Sequence, residues 1–123
     1  MKTLVDSSAI IDLLEGNEKG ARVKKILSES TGTYTTGLNV YEVKHRLLQK
    51  TPHKATEYIE EILASVKIIP ITLEASLTAA DLKKSRPMLS AVDCNAYCAA
   101  IENNLLFVTG DKDFEGLKST LVL

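Results

Sequence analysis

The sequence has few cysteines and no arrangement of them that indicates a disulfide-stapled protein. Its only two, Cys94 and Cys98, lie four residues apart in a helix-like segment rather than in a disulfide framework. We interpret them as small core residues, because free cysteine is among the most buried residue types. A metal-binding pair is the alternative, weakened because neither His45 nor His53 is close in sequence.

The sequence also lacks an apolar run long enough for a membrane span or a signal peptide. The stretch from Met1 to Leu14 is interrupted by Lys2, Asp6 and Asp12, so it has no continuous apolar region of the secretory type. Hydrophobic content of 45% and charged content of 25% are typical of soluble proteins. We therefore expect a cytoplasmic protein with no membrane partner.

A strong net charge and the common phosphate-binding motifs are missing as well. The formal net charge is −1, so a nucleic acid would have to be held by a local basic patch or through a metal. No Gly-x-Gly-x-x-Gly follows the first apolar segment and no Gly-Lys-Ser/Thr occurs, which disfavours dinucleotide and P-loop sites. A phosphoacceptor receiver domain would need an aspartate where the chain has Ile69-Pro70-Ile71.

Apolar β-type segments alternate with segments of helical periodicity, which predicts a single α/β domain. We expect three layers (α/β/α), with a mostly parallel central sheet of about five strands covered by helices on both faces. The predicted strands are Lys2–Val5, Thr31–Thr36, Val66–Ile71, Leu105–Val108 and Thr120–Leu123. Six helices are predicted. The first begins at a Ser7 or Ser8 cap, and the second and third cover Lys19–Glu29 and Asn39–Lys50. The fourth begins at a Thr51 cap with Pro52 in its first turn, and the last two run from Thr72 to Lys84 and from Ser90 to Asn103.

Four acidic residues are expected at one edge of this sheet. Asp6 and Asp111 closely follow apolar strands, and strand ends of a parallel sheet share an edge with the starts of the crossover helices. Glu42 lies in the opening turns of the third predicted helix, and Asp93 lies in the first turn of the last one. Asp113 is a further candidate, two residues beyond Asp111.

Each acid also has an ordinary structural interpretation. Asp93 follows Ser90 by three residues, the spacing of a capping box, and Glu42 can complement a helix dipole. Asp6 and Asp111 can cap the adjoining turn or helix. The convergence of all four acids on one edge is what favours a functional site.

A cluster of carboxylates needs a neutralising partner, because like charges raise one another's pKa. Hard carboxylate oxygens without cysteine or histidine favour Mg²⁺ or Mn²⁺ over zinc. Such ions support phosphoryl chemistry, in which one ion can activate a water and a second, about 3.5 to 4 Å away, can stabilise the leaving oxygen. The sequence therefore predicts a divalent-metal site.

Four segments, in order along nearly the whole chain, together resemble a PIN domain. They are Val5–Leu14, Asn39–Val43, Asp93–Ala100 and Val108–Phe114. The compact length is similar to that of the VapC toxins of prokaryotic toxin–antitoxin pairs. The resemblance implies a Mg²⁺- or Mn²⁺-dependent endoribonuclease whose catalytic metal ligands are Asp6, Glu42, Asp93 and Asp111. Gly110 departs from the arginine or other long side chain of many relatives, and Cys94 and Asn95 replace a more apolar pair, but neither departure removes an acid.

The resemblance also implies partners. These are an RNA substrate, a small antitoxin protein that covers the pocket, for example by inserting an arginine, and a second copy of the chain in a homodimer. The dimer contact would use either the helices between Asn39 and Ser65 or the amino-terminal helical pair.

Residues that could bind the substrate lie next to the acids. The basic cluster after Glu42 places Arg46 and Lys50 on one helix face, which can guide an RNA backbone, although a solvated face is the alternative. Ser7, Ser8 and Thr109 can orient a phosphate or a metal-bound water, although helix capping explains the serines equally well.

Two other functions stay open. A PIN-like module that binds RNA or protein without catalysis would be expected to have lost acids, whereas all four are present. An RNA-processing nuclease that is not a toxin would share the same site.

Overall fold

The computed structural model describes residues 1–123. The five strands are β1 (Lys2–Val5), β2 (Gly32–Thr36), β3 (Lys67–Ile69), β4 (Leu106–Thr109) and β5 (Thr120–Val122). The six α-helices are α1 (Ser7–Glu15), α2 (Glu18–Glu29), α3 (Gly37–Lys50), α4 (Ala55–Ser65), α5 (Leu73–Ser85) and α6 (Ala91–Glu102). Short 3₁₀ helices cover Pro52–Lys54 and Lys112–Phe114. None of these helices combines the length and the apolar content that crossing a bilayer requires.

The strands form one five-stranded sheet in the order β3-β2-β1-β4-β5, and every pair of neighbours is parallel. The prediction of a parallel α/β sheet is therefore confirmed. β1 lies at the centre, between β2 and β4. Because all strands point the same way, their carboxyl ends meet at one edge, which is where open α/β sheets keep their ligand sites.

Alternation along the central strands divides the core between the two faces of the sheet. Leu4 and Phe107 belong to an apolar cluster built with α5 and α6, whereas Val5 and Val108 belong to one built with α1 to α4. Successive side chains of a strand point to opposite faces, so burial on both faces requires a helical layer on each side. The predicted three-layer architecture is confirmed.

The two cysteines lie in the core, as predicted. Cys94 and Cys98 are buried in α6, unpaired, and packed in the same cluster as Phe107. Small residues on this helix allow it to approach the sheet closely, because Ala96, Ala99 and Ala100 are all buried. Both cysteine side chains pack among apolar residues of this cluster, which favours the core interpretation over a metal-binding pair.

The start of α1 differs from the prediction. The residue before the helix is Asp6 rather than Ser7 or Ser8, and its side chain makes no capping hydrogen bond. The carboxylate instead accepts hydrogen bonds from Thr109 and Asn39, which belong to other elements. Both serines lie inside the first helical turn and are free to turn their hydroxyls towards neighbouring elements.

Three further boundaries are corrected. Thr51 does not cap the next helix: its Oγ1 is buried without a hydrogen-bond partner, and the 3₁₀ turn Pro52–Lys54 precedes α4. The predicted strand Val66–Ile71 is shorter, because it ends at Ile69 before Pro70, which has no N–H to donate. β4 is displaced by one residue from Leu105–Val108.

Candidate active site

Pairing of β1 with β4 brings the first and last predicted acids to one edge of the sheet. Val5 lies opposite Val108, and the Asp6 amide donates a hydrogen bond to the Val108 carbonyl at 2.9 Å. Asp6 therefore leaves the end of β1, and Asp111 follows the end of β4 two residues after Thr109.

The four predicted acids line one open cleft of about 690 Å³. Most of the residues that line it are polar or charged, and six of them are carboxylates: Asp6, Asp12, Glu15, Glu42, Asp93 and Asp111. Lys19 and Arg46 are the only lysine and arginine that line it. The only two ion pairs in the chain both use Glu15, so none of the four predicted acids has an ionic partner.

Asp6 is the most buried acid of the cleft, with 2% of its surface exposed. The pKa of this carboxyl is raised from 3.8 to about 7, mainly by burial; the hydrogen bond from Thr109 opposes the increase and the negative charge of Asp93 adds to it. A buried carboxylate without a cation is costly in its charged form. The position therefore suits a group whose charge is balanced by a bound cation.

A buried amide holds Asp6 in place from the side of α3. Asn39 Nδ2 donates to Asp6 Oδ1 at 3.1 Å and to Ser7 Oγ at 2.9 Å, while Asn39 Oδ1 accepts from Thr36 Oγ1 at 2.6 Å. Ser7 Oγ in turn donates to Glu42 Oε1 at 2.6 Å. One fully buried asparagine thus connects the carboxylates of Asp6 and Glu42 through a continuous hydrogen-bond network.

Two hydroxyls hold Asp6 from the side of β4. Thr109 Oγ1 donates to Asp6 Oδ2 at 2.8 Å and accepts from the Asp111 amide at 3.0 Å. Ser8 Oγ donates to the same Asp6 oxygen at 3.2 Å and accepts from the Gly110 amide at 3.0 Å. Ser7 and Ser8 line the cleft, whereas Thr109 is fully buried and not part of its wall. These hydroxyls fix the first acid relative to the loop that carries the last one.

Asp93 forms the predicted capping box, and the structure also brings it to the other acids of the cleft. Its Oδ2 accepts from the Ser90 amide at 2.9 Å and the Ser90 hydroxyl accepts from the Asp93 amide at 3.0 Å, which is a complete capping box. The same side chain lines the cleft, and its Oδ1 accepts no hydrogen bond from the protein. The cap therefore orients the carboxylate and leaves one oxygen for a ligand.

Glu42, Asp111 and Asp113 occupy different positions. Glu42 is half-buried and lies beyond the first turn of α3, where the helix dipole has little effect. Asp111 lines the cleft, and its Oδ1 also accepts from the Asp113 amide at 2.9 Å. Asp113 is exposed and is not among the lining residues, so the structure does not bring this further candidate to the other acids.

The donor set fits Mg²⁺ or Mn²⁺ better than a softer metal. The acids offer carboxylate oxygens, which hard divalent cations prefer. No three of them are spaced to complete a site unaided. This arrangement is compatible with Mg²⁺, which usually retains several waters and binds through one or two carboxylates.

Comparison with known families agrees with this geometry. A family model described as the PIN domain matches residues 3–119. The chain belongs to the PIN domain family. Among curated proteins, no sequence matches this chain.

Solved structures of low sequence identity share the PIN fold. A chain of a toxin–antitoxin complex from Klebsiella pneumoniae is 21% identical with a TM-score of 0.80, and the match covers 98% of this chain and 96% of that one. VapBC2 from Rickettsia felis, bound to a DNA fragment from its promoter, is 11% identical with a TM-score of 0.77, and the match covers 100% of this chain and 98% of that one. Mycobacterium tuberculosis VapC20, described as a sarcin-ricin loop cleaving toxin, is 15% identical with a TM-score of 0.72, and the match covers 92% of this chain and 91% of that one.

The basic face of α3 is only partly directed at the cleft of this PIN domain. Arg46 lines the cleft and its guanidinium is 4.0 Å from Glu15 Oε1, whereas Lys50 lies 3.8 Å from the same oxygen but outside the cleft wall. Both side chains are about half exposed, so these ion pairs are weak and an incoming phosphate can displace them. Lys19, from α2, is a second cation at the wall and reaches the Gly110 carbonyl at 3.4 Å.

Several residues of the PIN domain cleft were not predicted as site residues. Asn39 and Thr36 form the buried network, and Asp12, Tyr41 and His45 line the wall. Asn39 had two sequence signals: it opens the PIN-like segment Asn39–Val43, and it is a polar residue between Leu38 and Val40 at the start of an amphipathic helix. A Cβ at Gly110 would lie 2.8 Å from Asp12 Oδ2, so a side chain at this position would have to displace the Asp12 carboxylate.

Proposed function

We propose that this PIN domain is a divalent-metal-dependent endoribonuclease that hydrolyses RNA phosphodiester bonds in the acidic cleft. One observation carries the proposal: Asp6 is almost fully buried, shares its cleft with five other carboxylates and has no cationic partner. An isolated buried carboxylate destabilises a fold unless a cation compensates it. The proposed catalytic residues are Asp6, Glu42, Asp93 and Asp111.

Asp6 and Asp93 would hold Mg²⁺ or Mn²⁺ directly, with Glu42 and Asp111 binding it directly or through water. A bound divalent ion supplies Lewis-acid stabilisation of phosphoryl oxygens and lowers the pKa of a bound water. The residues behind the acids supply rigidity: Asn39 holds Asp6 on one side and Thr109 holds it on the other.

Cationic side chains at the wall would position the RNA backbone. Arg46 presents a planar guanidinium that can bind a phosphate through two hydrogen bonds, and Lys19 presents a point charge across the cleft. Lys50 extends the same α3 face beyond the cleft, and the Ser7 and Ser8 hydroxyls lie beside the acids. Substrate binding would therefore depend on a local patch, because the chain as a whole has a net charge of −1.

The biological role we infer is that of a toxin neutralised by a small antitoxin protein. Support comes from the PIN family match together with similar folds in a toxin–antitoxin complex and in VapBC2. An antitoxin could block the cleft by pairing arginine with its carboxylates. A homodimer is expected, with contacts on the helices between Asn39 and Ser65 or on the α1–α2 pair.

The test is cleavage of a structured RNA by the purified chain with Mg²⁺, with Mn²⁺ and with EDTA. We expect cleavage only with a divalent cation and its loss in Asp6→Asn. Asp81→Asn is the matched control, because Asp81 is exposed on α5 and not among the cleft-lining residues. Equal cleavage in EDTA, or full activity of Asp6→Asn, would contradict the proposal.

The toxin role has a separate test in growing cells. Expression of the chain should arrest growth, and both the Asp6→Asn substitution and co-expression of the protein encoded beside it should relieve the arrest. If the Asp6→Asn variant arrested growth at the same protein level, the toxicity would not depend on the acidic cleft, which would contradict the proposed role.

A further inference from the structure

An aromatic pair on α3 forms part of the cleft wall next to the acids. Tyr41 and His45 lie one helical turn apart, both line the cleft, and their rings are nearly parallel, with centroids 6.2 Å apart and an interplanar angle of 9°. Residues spaced four apart lie on the same face of a helix. The pair therefore presents two aligned π-surfaces in the cleft that holds Glu42, the residue next to Tyr41.

Packing within the chain does not account for this pair. Tyr41 is 63% exposed, its hydroxyl makes no hydrogen bond, and its only aromatic neighbour is His45. The other aromatic contacts of the chain are among Tyr97, Phe107 and Phe114 in the core. An exposed aromatic side chain at the wall of a polar cleft is instead suited to contact with a planar ligand.

We propose that Tyr41 and His45 form a stacking platform for an unpaired nucleobase of the RNA substrate, next to the phosphate that the acidic cleft would take. This inference rests on the proposed nuclease function and names the two residues that would hold an unpaired base of its substrate. Bases of an A-form duplex are stacked on each other and cannot reach a platform, whereas unpaired bases can. Every base has a π-face, so the platform selects for strand state rather than for sequence.

A neighbouring cation is available for an RNA phosphate at this platform. Arg46 follows His45 in the chain and lines the same cleft, so a nucleotide stacked on the rings has a cation within reach of its phosphate. The six carboxylates of the cleft repel an acidic peptide, and they would repel RNA as well unless the divalent cation of the proposed nuclease is bound. An arginine-rich peptide stacking on the same rings is the competing occupant that the experiment must separate.

The absence of tryptophan from the chain gives a direct binding readout. Tyr41→Trp, made together with Asp6→Asn to prevent cleavage, carries one fluorophore at the platform. We expect a single-stranded oligoribonucleotide to quench its fluorescence. A perfect duplex and an abasic strand with the same phosphates should leave it unchanged. Leu77→Trp in the same background is the matched control, because Leu77 is 62% exposed on α5 and not among the cleft-lining residues.

Two results of the quenching experiment would overturn the platform. One is equal quenching by the abasic strand or at position 77. The other is quenching by an arginine-rich peptide with none by single-stranded RNA, which would assign the rings to a protein partner.

Cleavage kinetics separate failure of the platform from failure of the nuclease proposal. With a looped RNA, Tyr41→Ala should raise KM about fivefold or more, the low end of the effect of losing one stacked base, while Tyr41→Phe should behave as wild type. An unchanged KM in Tyr41→Ala, with an active wild-type chain, would reject the platform alone. If the wild-type chain cleaves no RNA, the nuclease proposal fails and the quenching experiment still decides the platform.

Discussion

Asp6 is a buried carboxylate whose charged form costs stability. Its pKa is raised to about 7 by burial, so the folded chain keeps a proton that the unfolded chain releases above about pH 4. Because the pKa is higher in the folded state, the contribution of Asp6 to stability is greatest below the unfolded pKa. That contribution is lost as the pH rises through about 7.

Replacing Asp6 by asparagine should therefore stabilise the metal-free chain at pH 8, by a few kcal/mol, while abolishing cleavage. The advantage of the Asp6→Asn variant should shrink as the pH falls and nearly vanish near pH 4, where the wild-type carboxyl is protonated. Urea denaturation in EDTA at several pH values measures both curves. If the Asp6→Asn variant had a lower free energy of unfolding than wild type at pH 8, Asp6 would stabilise the fold, contrary to this prediction.

Asn39 should contribute to both stability and activity, because it holds Asp6 and Ser7 from a fully buried position. Asn39→Ala should lower the free energy of unfolding by about 1–3 kcal/mol and also reduce cleavage. Thr35→Val is the matched control: Thr35 is equally buried, but its hydroxyl donates to the Val5 carbonyl and not to an acid. The control should lose stability and keep cleavage; equal loss of cleavage in both variants would contradict a positioning role for Asn39.

At the residue scale, the acids could be predicted and their supports could not. Asp6 and Asp111 can be recognised in the sequence because each closely follows an apolar strand. Asp93 can be recognised because it lies in the first turn of a helix. Asn39 opens a PIN-like segment, but its contacts could not be predicted, since its partners Asp6, Ser7 and Thr36 come from different parts of the chain and meet only in the fold. The same holds for Tyr41, whose exposure is visible only in three dimensions.

Close packing of α1 on α2 depends on one glycine. A Cβ at Gly20 would lie 2.1 Å from the backbone oxygen of Asp12, so Gly20→Ala must separate the two helices and should cost about 1–3 kcal/mol. Gly37→Ala is the control, because nothing lies within 4 Å of the added Cβ and its backbone is not left-handed. That variant should be neutral or more stable by up to about 1 kcal/mol. Thermal unfolding of both variants tests the contrast, and equal destabilisation would refute it.

At the element scale, the spacing of apolar residues predicted every strand and α-helix, and the errors were in where some of them begin and end. Pro70 ends β3 early because it cannot donate to the neighbouring strand. Thr51 looked like a cap because threonine precedes proline, but the chain enters α4 through a 3₁₀ turn that leaves its hydroxyl unbonded. The effect of Pro70 can be read from the sequence, whereas the 3₁₀ entry to α4 depends on how neighbouring elements meet, which the spacing of apolar residues does not encode.

The whole molecule has one sheet with a core on each face, so its buried thiols should become reactive mainly on unfolding. Burial raises the pKa of Cys98 to about 11 and raises that of Cys94, and reagents attack the thiolate. In native buffer both thiols should react far more slowly with a disulfide reagent than in urea. Reaction of either thiol at the rate of an exposed cysteine would contradict the buried assignment.

The parallel topology at the scale of the whole chain is what brings the four acids together. Positions 6, 42, 93 and 111 are far apart in sequence, yet they line one cleft because β1 and β4 are neighbours and α3 and α6 start at the same edge. The edge could be predicted from alternating strands and helices. The order of the strands and the shape of the cleft needed the structure.

The central claim is that the acidic cleft binds a divalent cation through Asp6. Titration calorimetry at pH 8 without RNA tests it most directly, by measuring Mn²⁺ binding to the wild-type chain and to the Asp6→Asn variant. We expect saturable binding to the wild-type chain that Mg²⁺ competes away, and a loss of affinity of tenfold or more in Asp6→Asn, on the order of 1.4 kcal/mol or more. Asp81→Asn should bind as wild type does. Equal Mn²⁺ affinity in wild type and Asp6→Asn would contradict a metal site built around the buried acid.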